Sequence, residues 1–166
     1  DYVFGGGFGA NTFVTGDVLV NIGGTIGDGA DIHGDVYGGS AQGHVNGSKN
    51  TSTDEGALPI VPTEGATTTV NLNKGIIFGE AYGGGLGLKD GFDGHTGADV
   101  PAYVGGNVFV NVDGAAFKIS YYEDEGYTDV VKSGRVFGSN NLCGMPLGDV
   151  QVTVNKTVGV TTTEGV

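Results

Sequence analysis

At 166 residues the chain has room for one domain with a core of its own and not for two. Its 35 glycines exclude a fold of long helices, since each glycine inside a helix costs about 0.5–1 kcal/mol relative to alanine, and its net charge of −12 argues against nucleic acid or an anionic lipid surface as a partner. The single cysteine, Cys143, excludes an internal disulfide, and no run of about 18 apolar residues exists to span a membrane as a helix.

In chain order, Val3-Phe4-Gly5-Gly6-Gly7 opens with an aliphatic residue, an aromatic ring and glycines, and Val18-Leu19-Val20-Asn21-Ile22 follows as an alternating strand. Val36-Tyr37-Gly38-Gly39-Ser40 repeats the opening unit. Residues 43–66, polar and broken by Pro59 and Pro62, read as a surface insertion before the next strand, Thr68-Thr69-Val70-Asn71-Leu72. The third unit, Ala81-Tyr82-Gly83-Gly84-Gly85, is separated from Val108-Phe109-Val110-Asn111-Val112 by a second insertion at 86–101. A third, at 118–134, precedes Val136-Phe137-Gly138-Ser139-Asn140 and the last strand, Val150-Gln151-Val152-Thr153-Val154.

Aligned, the four strands are aliphatic in eleven of the twelve cells of their first, third and fifth columns and mostly polar in the second and fourth, the pattern of a strand with one buried face. Leu19 and Phe109 break the rule, so part of the outer face is expected to be covered. Such repeats stack as parallel coils about 4.8 Å apart, which turns each column into a ladder of like residues. Asn21, Asn71 and Asn111 are then expected to pass amide hydrogen bonds from coil to coil, with Thr153 continuing them through its hydroxyl. Phe4, Tyr37, Tyr82 and Phe137 are expected to stack as an aromatic ladder, and the glycines after them to supply positive φ at a corner. The fold predicted is all-β: a short right-handed parallel β-helix of about three to four coils, with long loop insertions, running through residues 1–166 as one unit. An antiparallel sandwich is the rival, but it gives no reason for asparagine at one repeated position.

Chemistry is sparse. Asp90, Asp93 and Asp99 are the best candidates for a calcium site in an acidic, glycine-rich loop, although neither an EF-hand nor a calcium-binding nonapeptide pattern is present. No other cofactor is expected. Tyr121, Tyr122 and Tyr127, set among acids in the third insertion, form a candidate contact surface for sugar or protein, or a cover for Leu19 and Phe109. His33, His44 and His95 lack metal-ligand spacing and read as surface histidines. Glycosidic catalysis needs two carboxylates about 5–9 Å apart, and the outward columns of the aligned strands hold none; Asp17 and Asp149, at the strand starts, have turn and hydrogen-bonding roles open to them. No catalytic residues are assigned.

The V-[FY]-G-G-G unit, the following G-[DN]-V-x-V-N-[IV] strand and the closing stretch from Val136 to Val150 resemble the glycine-rich repeats of very large surface proteins of gut Bacteroidetes. The resemblance covers most of the chain outside the insertions and implies an exported, adhesin-like β-solenoid with no catalytic residues to carry over. A non-enzymatic structural or adhesive segment at the bacterial cell surface is therefore expected. The chain opens inside a repeat and reaches strand-like Val158-Gly159-Val160, which suggests a segment of a longer protein that continues into further repeats or packs head to tail with another copy. A glycan or another cell-surface ligand is the second expected partner, which makes a carbohydrate-binding module the alternative reading and a β-helical polysaccharide lyase or hydrolase the third.

Overall fold

Period-two sequence and β-branched side chains produce many short strands, and the computed structural model describes them across residues 2–24, 29–118 and 134–158. In chain order they are β1 (Val3–Phe4), β2 (Phe13–Val14), β3 (Val18–Ile22), β4 (Asp31–Ile32), β5 (Val36–Tyr37), β6 (His44–Val45) and β7 (Gly47–Lys49). The second half adds β8 (Ile60–Pro62), β9 (Thr67–Leu72), β10 (Ile76–Ile77), β11 (Ala81–Tyr82), β12 (Asn107–Phe117), β13 (Val136–Phe137) and β14 (Val150–Val158). Among the described residues the only helical turn is a 3-10 turn at Phe92–Gly94. The protein is all-β.

Every pair of these strands is parallel except the β7–β8 hairpin. One sheet runs β1-β5-β11-β13, and its strand order is also the chain order. In the largest sheet β3, β9, β12 and β14 follow one another in the same way, with Val20, Val70, Val110 and Val152 in one register line. The far end of β12 shifts register after Val112, passes through left-handed Gly114 (φ 114°) and pairs with β10, which pairs in turn with β4. Another line, which the alternating pattern does not announce, joins Val14 to Val45, Val104 and Pro146.

Inward positions of these lines make the core: Val18, Val20, Ile22, Val36, Val45, Val70, Leu72, Ile77, Val104, Val108, Val110 and Val112 are all buried. Space inside is so tight that the glycines following the aromatic residues have a different reason from the one expected. None of Gly5, Gly38, Gly83 and Gly138 is left-handed. A Cβ on Gly38 would lie 2.3 Å from the carbonyl oxygen of Gly83 and 2.7 Å from Val70 Cγ2, and one on Gly83 would lie 2.4 Å from Val108 Cγ1. These glycines let one sheet approach the valines of the other.

The first insertion is also smaller than its sequence suggests. Residues His44 and Val45 belong to β6, so the first excursion is the β7–β8 hairpin rather than all of 43–66. In the second, Leu88 and Val100 bridge antiparallel and close the stem of a loop. Most of the third, residues 119–133, lies outside the described residues.

Candidate functional site

Parallel pairing in register sets the outward side chains of β1, β5, β11 and β13 in a line. Successive ring centroids from Phe4 to Tyr37, Tyr82 and Phe137 are 4.9, 4.9 and 5.0 Å apart, with interplanar angles of 13°, 5° and 12°. Each such contact contributes about 0.5–1.5 kcal/mol beyond burial. The residue two places before each tyrosine shares its face of the strand, and both supply a carboxylate. Tyr37 donates its hydroxyl to Asp35 Oδ2 at 3.0 Å and accepts from Asn141 Nδ2 at 2.9 Å. Tyr82 donates to the Glu80 carboxylate, which also takes the Nε–H of Arg135. Burial is the main reason that both phenols are pushed well above their ordinary pKa; the Asp35 charge adds to it at Tyr37 and the Glu80 hydrogen bond at Tyr82.

The outward face of the largest sheet carries the asparagines. Asn111 Nδ2 donates to Asn71 Oδ1, and Asn71 Nδ2 to Asn21 Oδ1, both at 2.8 Å. Thr153 occupies the fourth place of this line and accepts from Gln151 Nε2 at 3.2 Å. At the strand starts, Asp17 Oδ1 accepts the Thr67 backbone N–H at 2.8 Å, and Asn107 Oδ1 accepts that of Asp149 at 2.9 Å, so this column also bonds between neighbours.

Two polar residues of the first insertion prove to be interior. Asn46, left-handed at φ 56° and fully buried, donates Nδ2 to the carbonyls of Gly16 (2.8 Å) and Thr67 (2.9 Å) and accepts from Thr68 Oγ1 (2.5 Å). His44, expected at the surface, is 4% exposed between the rings of Phe13 and Tyr103. Its Nδ1 accepts the Tyr103 backbone N–H at 3.1 Å, and burial holds its pKa below the ordinary value. The alternation His-Val-Asn within a run of loop-type residues is the one signal of this burial, and turn chemistry masks it. His33 stacks on Phe78 at 4.4 Å, and His95 turns a ring nitrogen to the Ala98 carbonyl.

Asp90, Asp93 and Asp99 do not converge. Asp99 accepts from Lys89 Nζ and from the Asp90 N–H, both at 2.9 Å, and Asp90 Oδ1 accepts from the Gly97 N–H at 3.1 Å. Two of the three carboxylates thus brace their own loop. Among the described residues no three His, Cys, Asp or Glu side chains are placed to hold a metal ion. Tyr121, Tyr122 and Tyr127 lie outside the described residues.

What the fold does gather is a groove of about 230 Å³ beside the aromatic column. Tyr37 and Asp35 form part of its wall, and Leu86, Leu88 and Leu142 add apolar surface. Tyr2 and Phe8, from one N-terminal stretch, and Phe92, from the second insertion, reach it and are 62%, 74% and 47% exposed. Gln42, Asp93 and Asn141 also line it. Comparison of the chain with protein-family models, curated proteins and solved structures gave no match.

Proposed function

We propose that the chain is a β-solenoid that serves as a non-enzymatic structural or adhesive segment outside the cell, adding to its own length end to end. Four successive rows of parallel strands in chain order, each repeating the same register lines, support the solenoid. The observation that carries the end-to-end reading is an asymmetry between the two ends. Val18, Val20 and Ile22 of β3 are 5–6% exposed, whereas Val150, Val152 and Val154, which occupy the same register lines in β14, are 42–59% exposed. In a rising coil each strand is covered by the turn that follows it, and among the described residues no strand pairs with β14 beyond β12. At the opposite end, Val3 and Val14 are only partly buried. On this reading β14 offers valines, and β1 and β2 offer the residues that would cover them, whether from a second copy or from further repeats of the same chain.

Sedimentation and electron microscopy over a range of concentrations test the reading. Fibres with a constant subunit repeat are expected, and Val152→Asp is expected to abolish them while leaving the far-ultraviolet circular dichroism unchanged. Discrete monomers at high concentration would overturn end-to-end assembly by this segment. The alternative, a carbohydrate-binding surface module, is favoured by the aromatic groove.

A further inference from the structure

Solvent-exposed aromatic rings are ordinary when scattered, but here Phe92 is brought from far along the chain to the same concavity as Tyr2 and Phe8, which makes the concavity a candidate binding surface. Tyr2 comes from the first strand region, Phe8 from the turn after it, and Phe92 from the tip of the second insertion. The polar groups among them are unspent. Gln42 and Asp93 make no side-chain hydrogen bond to any described residue, although Asp90 and Asp99 of the same loop are both engaged. Asn141, which also lines the groove, gives an amide N–H to Tyr37, and its side-chain carbonyl oxygen accepts from no described residue.

We propose that this groove binds a neutral saccharide, with a pyranose ring laid against Phe8 and Phe92 and its hydroxyls bonded to Asp93, Gln42 and Asn141. Charge selects against anionic ligands, because the lining includes two aspartates and no lysine or arginine. Chemistry selects hydroxyls over a cation. Asp35 has both oxygens occupied, by the Tyr37 hydroxyl and by the Glu80 N–H at 2.8 Å, so Asp93 is the sole free carboxylate. The amide of Gln42 both donates and accepts, as a hydroxyl does, and the carbonyl of Asn141 accepts; an ammonium has use for acceptors alone. Size selects a short ligand or one residue of a longer one, since the groove is smaller than the roughly 300–1,000 Å³ of sites for drug-sized molecules. The site is independent of end-to-end packing.

The test is saturation-transfer NMR on the full chain with maltotriose, cellotriose and the trisaccharide of N-acetylglucosamine as probes, and with trigalacturonate and tetramethylammonium as controls. At least one neutral probe is expected to bind. Phe8→Ala and Phe92→Ala, both at exposed rings, are expected to weaken that binding at least fivefold with unchanged thermal melts, and Asp93→Ala to weaken it more than Asp93→Asn. The proposal is overturned if none of the three neutral probes binds, if binding survives the Phe8→Ala/Phe92→Ala double variant unchanged, or if either control binds more tightly than every neutral probe.

Discussion

The rings of Tyr37 and Tyr82 lie face to face, their centroids 4.9 Å apart and their planes within 5° of parallel, and each phenol is hydrogen-bonded to the carboxylate two residues before it. Strand pairing fixes this contact, because Tyr37 and Tyr82 are register partners of β5 and β11. Stacking and hydrogen bonding can be separated by mutation. Tyr82→Phe keeps the ring and loses the bond to Glu80, for an expected cost of about 1–3 kcal/mol, whereas Tyr82→Ala opens a cavity between Tyr37 and Phe137 and is expected to cost about 3–5 kcal/mol. Urea unfolding of both variants measures the difference, and equal costs would contradict the stacking role.

Alkaline pH is expected to unfold the protein through the same pair. Both phenols are raised above their ordinary pKa of 10.0, so their contribution is intact below about pH 10 and is lost as pH rises toward the folded values. Ultraviolet titration is expected to show Tyr37 and Tyr82 ionising only with loss of structure, and the Tyr37→Phe/Tyr82→Phe double variant to flatten the alkaline limb of the stability curve.

At the acid side the sensitive group is His44. Its pKa is lowered by burial, so the neutral ring contributes stability that is complete above its ordinary pKa of 6.5 and is lost as pH falls through the folded value. Protonation would also place a donor against the Tyr103 N–H that Nδ1 now accepts. Stability measured from pH 8 down to pH 5 is expected to decline, and His44→Gln is expected to remove that slope below pH 6.5.

The missing Cβ of Gly83 is a packing requirement. Gly83→Ala would press a methyl group against Val108 Cγ1 and, at 2.5 Å, the Gly138 carbonyl oxygen, at an expected cost of about 1–3 kcal/mol or more. Gly16→Ala, with nothing within 4 Å of the added carbon, is the control and is expected to leave the melting temperature close to the parent's.

End-to-end packing in register would bring Asp149 opposite Asp17 of the next copy, since Asp17, Thr67, Asn107 and Asp149 form one line through the rows. Like charges directly opposite cost about 0.2–1 kcal/mol. Asp149→Asn, which repeats the residue already at 107, is therefore expected to tighten self-association a few-fold at low salt and to reduce its salt dependence. Sedimentation at two ionic strengths measures both effects, and weaker association would count against this register.

Much of the arrangement was legible because it is local. The alignment of Val18, Thr68, Val108 and Val150 is also the pairing register of β3, β9, β12 and β14, since a period of two sets which side chains face inward and a one-residue slip would expose them all. The line through Val14, Val45, Val104 and Pro146 was hidden, because strands this short have no period to read. Asn46 and His44 were hidden for a related reason: turn-forming residues mark a chain reversal, and whether that reversal is solvated depends on what packs over it.

By itself the sequence determined the four alternating strands, which of their side chains face inward and outward, and the ladders of asparagine and aromatic rings, all of which follow from backbone alternation and repetition. Tertiary structure alone decided why the glycines after the rings are needed, which carboxylates are occupied, and that Tyr2, Phe8, Gln42, Phe92, Asp93 and Asn141 share one groove. Those facts depend on where separate segments cross in space, and the path of a loop is set by the surface it packs against rather than by its own pattern of residues.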